Sequence, residues 1–74
     1  MKLTLKLKDM EEVKRFVDIT SQYSEDMALV HGRYVVDAKS ILGIISMDLN
    51  QPVELVCDHV NDNLVNDLKE FLAA

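Results

Sequence analysis

The sequence predicts an α+β fold of two layers, a four-stranded antiparallel sheet with helices on one of its faces. Residues 1–8 alternate strictly between apolar and polar side chains, which is the period of a half-buried strand. The following segment repeats its apolar residues at helical spacing, and two short runs rich in β-branched residues then flank Gly32. Antiparallel strands covered on one face by helices form a two-layer sandwich.

The first helix is predicted to start at Asp9 and to end by about Tyr23. Asp9 followed by Glu12 three residues later approximates a capping box. Glu11 precedes Arg15 by four residues, which is the favourable direction for an ion pair within a helix. The residues that recur at helical spacing are Met10, Val13, Phe16, Val17 and Thr20, with Ile19 and Tyr23 beside them.

A hairpin follows the first helix. Its strands are predicted at Met27–His31 and at residues 33–38, and Gly32 between them can supply the positive φ of a tight turn. A short helix then starts after Ser40, whose hydroxyl can cap it, and runs to about Met47.

The last third of the chain is predicted to form a strand and a helix. Pro52 suits the entrance of a strand over residues 53–58, because proline cannot donate to a ladder. A helix over about residues 62–73, capped by Asn61, has a clear apolar stripe. The element order is therefore β-α-β-β-α-β-α.

Length and composition predict a single small domain over residues 1–74. The net charge of −5, with eight basic residues that form no run, argues against nucleic-acid binding. Cys57 is the only cysteine, which excludes an intrachain disulfide and a cysteine-based zinc site. Neither a signal peptide nor a membrane-spanning run is recognisable, so a cytoplasmic location without membrane attachment is the expectation.

No residue group predicts metal binding or nucleophilic catalysis. Cys57 is expected to be a small buried hydrophobe, because no activating neighbour is evident. Cys57, Asp58 and His59 are consecutive, and strand alternation sends neighbours to opposite faces. We therefore expect no cofactor and no metal, and His31 is interpreted as a solvated turn residue.

The stretch AKSILGIISMDLNQPVEL, residues 38–55, resembles the regulatory-serine segment of HPr, the small phosphocarrier of the bacterial sugar phosphotransferase system. Members typically read Lys-Ser-Ile/Leu-x-Gly-x-x-x-Leu/Ser, followed by a polar turn and a strand. The similarity extends without a gap from Tyr23 to the end of the chain. It implies the same element order and an open-faced sheet with strands arranged 1-4-2-3.

The resemblance fails where HPr carries its phosphoryl group. The family motif Gly-Leu/Ile-His-Ala-Arg-Pro would place the histidine at Asp9, the arginine at Glu11 and the proline at Glu12. A histidine carrier needs an imidazole and a cation that pairs with phosphate, whereas this chain offers carboxylates. The phosphocarrier role is therefore predicted to be absent. Asp9 is a helix cap, a fixed charge that imitates phosphohistidine, or an acyl-phosphate acceptor.

The resemblance is intact at Ser40, which matches the serine that a dedicated kinase phosphorylates in many relatives. The alternative is a plain N-cap. Ile41, Leu42 and Ile45 match the family's docking patch, and their alternative is burial in the core. Ile44 is expected to be the most buried residue of this helix.

The predicted function is that of a non-enzymatic HPr-like regulatory module that binds proteins through Ser40 and the adjacent apolar residues. Its expected partners are HPr kinase, a transcription regulator or transport-system enzymes, and the chain is expected to be a monomer or a weak homodimer. The alternatives are an unconventional phosphocarrier that uses a residue other than histidine, and an interaction domain unrelated to sugar transport.

Overall fold

The computed structural model describes residues 1–59 and 61–73 and contains one four-stranded antiparallel sheet with helices on one face. The α+β class and the predicted element order are confirmed. The elements are β1 Lys2–Leu5, α1 Met10–Thr20, β2 Met27–His31, β3 Tyr34–Asp37, α2 Ile41–Ile45, β4 Val53–Cys57, α3 Asp62–Asp67 and a 3₁₀ turn Lys69–Phe71.

The strand order is β1-β4-β2-β3, which is the arrangement that the resemblance to HPr implied. All three neighbouring pairs are antiparallel, and β4 lies in the middle with Leu55 opposite both Leu3 and Leu29. Because the first and fourth strands pair, the N-terminal strand lies beside a strand from the last third of the chain.

Successive side chains of each strand point to opposite faces of the sheet, one covered by the helices and one open. Leu29 and Leu55 are fully buried against the helices, whereas Lys2, Thr4 and Glu54 are exposed on the other face. Each helix contributes to the same core, which is therefore one continuous layer between sheet and helices. The fully buried large side chains include Phe16, Phe71, Leu5, Leu7, Ile44, Leu64 and Leu68.

The hairpin between β2 and β3 turns through two residues. Gly32 has φ 58°. None of the non-glycine residues that the structure describes has a positive φ. Glycine at the first central position is the pattern of a type II′ turn, whose twist matches that of paired strands. Arg33 therefore belongs to the turn, and β3 begins at Tyr34 rather than at Arg33 as predicted.

The final helix differs most from the prediction, which placed one helix over residues 62–73. The structure has α3 up to Asp67, a 3₁₀ turn, and then extended backbone. Lys6 N–H donates to the Phe71 carbonyl at 2.8 Å, and Ala73 N–H donates to the Thr4 carbonyl at 2.9 Å. The helix ends early because the last residues pair with the outer edge of β1 instead.

None of the helices in the described part of the chain is long and apolar enough to cross a membrane.

Candidate functional site

Ser40 is the N-cap of α2, as the sequence predicted. Its φ and ψ of −107° and 111° are extended, and its Oγ accepts a hydrogen bond from Gly43 N–H at 3.1 Å. Ser40 N–H in turn donates to the Asp37 carbonyl at 3.0 Å, so the serine is fixed between β3 and α2. The hydroxyl satisfies one of the free N–H groups of the first helical turn.

Gly43 allows α2 to lie close to β3. A Cβ atom at this position would be 3.2 Å from Val36 Cβ and 3.4 Å from Ser40 Oγ. The distance to Val36 is shorter than an ordinary van der Waals contact, so a residue with a Cβ atom would require the helix and the strand to move apart by a few tenths of an ångström. The glycine thus helps to hold the serine at its place beside β3.

Two side chains that the sequence analysis did not single out position the segment before α2. Thr20 Oγ1, which is buried, donates to the Ala38 carbonyl at 3.0 Å. Lys39 Nζ donates to the Tyr23 carbonyl at 2.6 Å. Both bonds tie the chain next to Ser40 to the C-terminal end of α1. The sequence signal for Thr20 was only its helical spacing, and the signal for Lys39 was only its place before Ser40 in the motif of the resemblance.

The apolar residues of α2 divide into a buried and an exposed set. Ile44 is fully buried, as predicted, and Met47 after the helix is also buried. Ile41, Leu42 and Ile45 are 37%, 78% and 41% exposed, and we call these three the α2 patch. A helix with five residues uses one side chain to anchor itself in the core and leaves three aliphatic ones on the surface.

Asp9 is the N-cap of α1, so the simplest of its three interpretations is geometrically realised. Its Oδ1 accepts from Glu12 N–H at 2.9 Å. Glu12 Oε1 accepts from Lys8 N–H at 2.7 Å, one residue before the position that an ideal capping box would use. Asp9 and Glu11 are both exposed, so the start of α1 presents negative charge.

The arginine of α1 is engaged by two carboxylates and an aromatic ring. Arg15 pairs with Glu12 at 3.8 Å and with Glu70 at 3.1 Å, and its guanidinium lies 5.9 Å from the centroid of the Phe71 ring. The predicted pair with Glu11 is wrong within the described residues, because the nearby C-terminal turn offers Arg15 a second carboxylate and an aromatic ring.

The histidines and the cysteine belong to the second and fourth strands or follow them. His31 ends β2 and His59 follows β4, while Cys57 is buried in β4 as predicted. No group of three or more potential metal ligands occurs among residues 1–59 and 61–73.

Ser40 and Asp9 lie at opposite ends of α1. Ser40 follows Lys39, which bonds the chain just after α1, whereas Asp9 begins the helix. The 11 residues of α1 span about 16 Å at the rise of an α-helix. The segment that leads to Ser40 is thus tied to the end of α1 opposite Asp9.

The fold is that of HPr. A structure search found the crystal structure of HPr-C-His from Thermoanaerobacter tengcongensis, with a TM-score of 0.78 and 23% sequence identity over 95% of this chain and 88% of that one. At this identity the similarity establishes the fold alone. No protein-family model matches the sequence. No curated protein matches it either.

Proposed function

We propose that this protein is a non-catalytic, HPr-related binding module of sugar-uptake regulation, in which the α2 patch binds a protein partner and Ser40 modulates that binding. The observation that carries the proposal is the exposure of three aliphatic side chains on the turn of helix that Ser40 caps. Apolar side chains held on the surface by a rigid element are a common basis of protein docking.

Ser40 is placed where added charge would act on the patch. Its Oγ is part of the first turn of α2, which also carries Ile41 and Leu42. A phosphate on this oxygen would bring about two negative charges beside aliphatic side chains. A partner that buries the patch would then have to accommodate these charges, so phosphorylation would select between partners.

The residues at the start of α1 support a role other than phosphoryl transfer. The position that the resemblance assigns to the carrier histidine holds Asp9, whose carboxylate is engaged as a helix cap. Glu11 adds a second negative charge where the resemblance assigns an arginine. An incoming phosphoryl donor would meet repulsion at this site rather than a cation.

A pull-down from the native cell lysate tests the docking role. We expect wild-type protein to retain a transcription regulator or a transport-system enzyme, and Leu42→Asp to lose it. Leu72→Asp is the matched control, because Leu72 is an exposed leucine outside α2. Ser40→Asp is expected to change the set of partners relative to Ser40→Ala. Identical partner lists for all four variants would refute the proposal.

Phosphorylation of Ser40 is tested with HPr kinase and ATP, with an authentic HPr in the same tube as a positive control. We expect label on this chain and no label on Ser40→Ala. Labelling of HPr alone would contradict the regulatory role of Ser40. The docking role would not be affected by this result, because the pull-down tests it separately.

A parallel incubation with enzyme I and phosphoenolpyruvate tests the alternative of an unconventional carrier. We expect no phosphoryl adduct on this chain. An adduct at or near Asp9 would support the alternative and refute the non-carrier role.

A further inference from the structure

Strand β3 forms a free edge of the sheet. It pairs with β2 on one side only, and its residues Tyr34 and Val35 are 60% and 66% exposed. An edge strand presents unpaired N–H and C=O groups, and exposed apolar side chains on it favour pairing with another strand.

The hairpin geometry determines which backbone groups of β3 are free. A two-residue turn is closed by a hydrogen-bonded pair, here His31 and Tyr34, and bonded and non-bonded pairs alternate along an antiparallel ladder. Val36 therefore bonds to Leu29, whereas the N–H and C=O groups of Val35 point away from the sheet. The centre of the edge is thus an exposed valine with both backbone groups available.

The sequence of this edge is complementary to itself. If two copies pair in antiparallel fashion about a two-fold axis at Val35, the two valines lie opposite each other on the open face. Tyr34 then lies opposite the second copy's Val36, and Arg33 lies opposite its Asp37. In this register residues 34–36 of each copy meet residues on the same face of the sheet, since positions of equal parity are paired, and Arg33 at the end of the turn lies beside the second copy's Asp37.

The charges favour this register. Arg33 forms no ion pair with any described residue. Within residues 1–59 and 61–73, the carboxylate of Asp37 accepts one hydrogen bond, from the Lys39 N–H. The two-fold axis creates two Arg33–Asp37 pairs, one at each end of the joint. Opposite charges across neighbouring strands are stabilising, whereas like charges are destabilising.

We propose that two copies of this chain associate through their β3 edges and form one continuous eight-stranded sheet. This inference is independent of the proposed function. A four-residue edge buries less surface than the roughly 1,200 Å² at which stable interfaces begin, so the dimer is weak and forms at high protein concentration.

Sedimentation velocity over a concentration series tests the dimer. We expect wild type to show reversible dimerisation, and Arg33→Asp to weaken it by about tenfold or more, because it places carboxylates opposite each other at both ends. Lys14→Asp is the matched control, with the same change of charge on an exposed position of α1. It should dimerise like wild type.

Charge exchange gives the sharper result. Asp37→Arg alone should also be monomeric, but an equimolar mixture of Arg33→Asp with Asp37→Arg should form a heterodimer, because both end pairs are then attractive. Circular dichroism verifies that each variant is folded, since Asp37 also accepts a bond from Lys39 N–H. Val35→Pro provides a second variant, because it removes only an N–H that points outward. A monomeric wild type at all concentrations, or dimerisation that none of these changes affects, would overturn the proposal.

Discussion

Single residues at the helix starts determine where the helices begin. Asp9, Ser40 and Asn61 each occupy the N-cap, and each side chain accepts a hydrogen bond from the N–H three residues later. Such bonds are local, because donor and acceptor are separated by three residues in the chain. The sequence therefore predicted all three caps correctly.

A first prediction concerns the cap of α1. Asp9→Ala should lower the free energy of unfolding by about 1 kcal/mol, because the Glu12 N–H loses its acceptor. Asp9→Asn should preserve most of the stability, since an amide oxygen caps as well as a carboxylate. Urea denaturation followed by circular dichroism measures both.

The control for this pair is Asp18→Ala, which removes the same charge from an exposed position within α1. It should leave stability unchanged or slightly higher, because alanine is the better helix former. Equal losses for Asp9→Ala and Asp9→Asn would show that the charge of Asp9, and not its cap, stabilises the helix.

The side-chain ion pairs were harder to predict at this scale. Arg15 was assigned to Glu11 from spacing within the helix, but it contacts Glu70 and the Phe71 ring, which are 55 residues or more away along the chain. A spacing rule compares only positions within one element, and it contains no information about which distant carboxylate the fold brings near.

At the scale of elements, Tyr23 connects the end of α1 with α3. Its hydroxyl donates to Asp67 Oδ2 at 2.5 Å. This hydrogen bond, followed by partial burial and the negative charges of Asp67 and Glu25, raises the pKa of Tyr23 to about 12. The phenol therefore keeps its proton in the folded protein at a pH where it would lose it in the unfolded chain.

A second prediction follows for this contact. In a Tyr34→Phe background, where Tyr23 is the sole tyrosine, tyrosinate absorbance should rise with a midpoint near 12. Asp67→Asn should move the pKa of Tyr23 towards the ordinary value near 10. Because the pKa is higher in the folded state, the stabilisation is fully present below pH 10 and is lost as the pH rises through 12.

The same titration of Asp58→Asn, an exposed aspartate outside this contact, serves as the control and should retain the high midpoint. A Tyr23 midpoint that does not respond to Asp67→Asn would show that the hydrogen bond is not formed in solution.

The elements themselves were mostly predictable from local patterns. The alternation of β1, the stripe of α1 and the turn at Gly32 each involve neighbours in sequence, and the structure has each element near its predicted place. The last helix was predicted too long because its apolar stripe continues to Leu72. That stripe cannot reveal that residues 71–73 bond to β1, which lies at the other end of the chain.

At the scale of the whole molecule, the core depends on contacts between the two ends of the chain. Phe71 meets Phe16 edge to face, with ring centroids 6.0 Å apart, and both rings are buried. Edge-to-face pairs add to the free energy that burial already provides. The strand order was likewise a property of the whole fold, which local patterns did not give and which the resemblance to HPr supplied.

A third prediction addresses this packing. Phe71→Ala should cost about 3–5 kcal/mol, because it leaves a cavity beside Phe16. A domain of 74 residues has a total stability of about 4–11 kcal/mol, so the substitution should remove a large part of it. Urea denaturation gives the value.

Leu72→Ala, at the exposed neighbouring position, is the control and should cost less than about 1 kcal/mol. Similar losses for the two variants would mean that Phe71 is not part of the cooperative core.

The tail of the chain has one more consequence, for the upper limit of assembly. Residues 71–73 bond to the outer side of β1 at Thr4 and, just after the strand, at Lys6, so an approaching strand is excluded from that part of the edge. In the proposed dimer both β3 edges are paired, and further strand addition would have to use the part of the β1 edge that residues 71–73 leave open. These residues thereby shorten the edge through which a pair of molecules could polymerise.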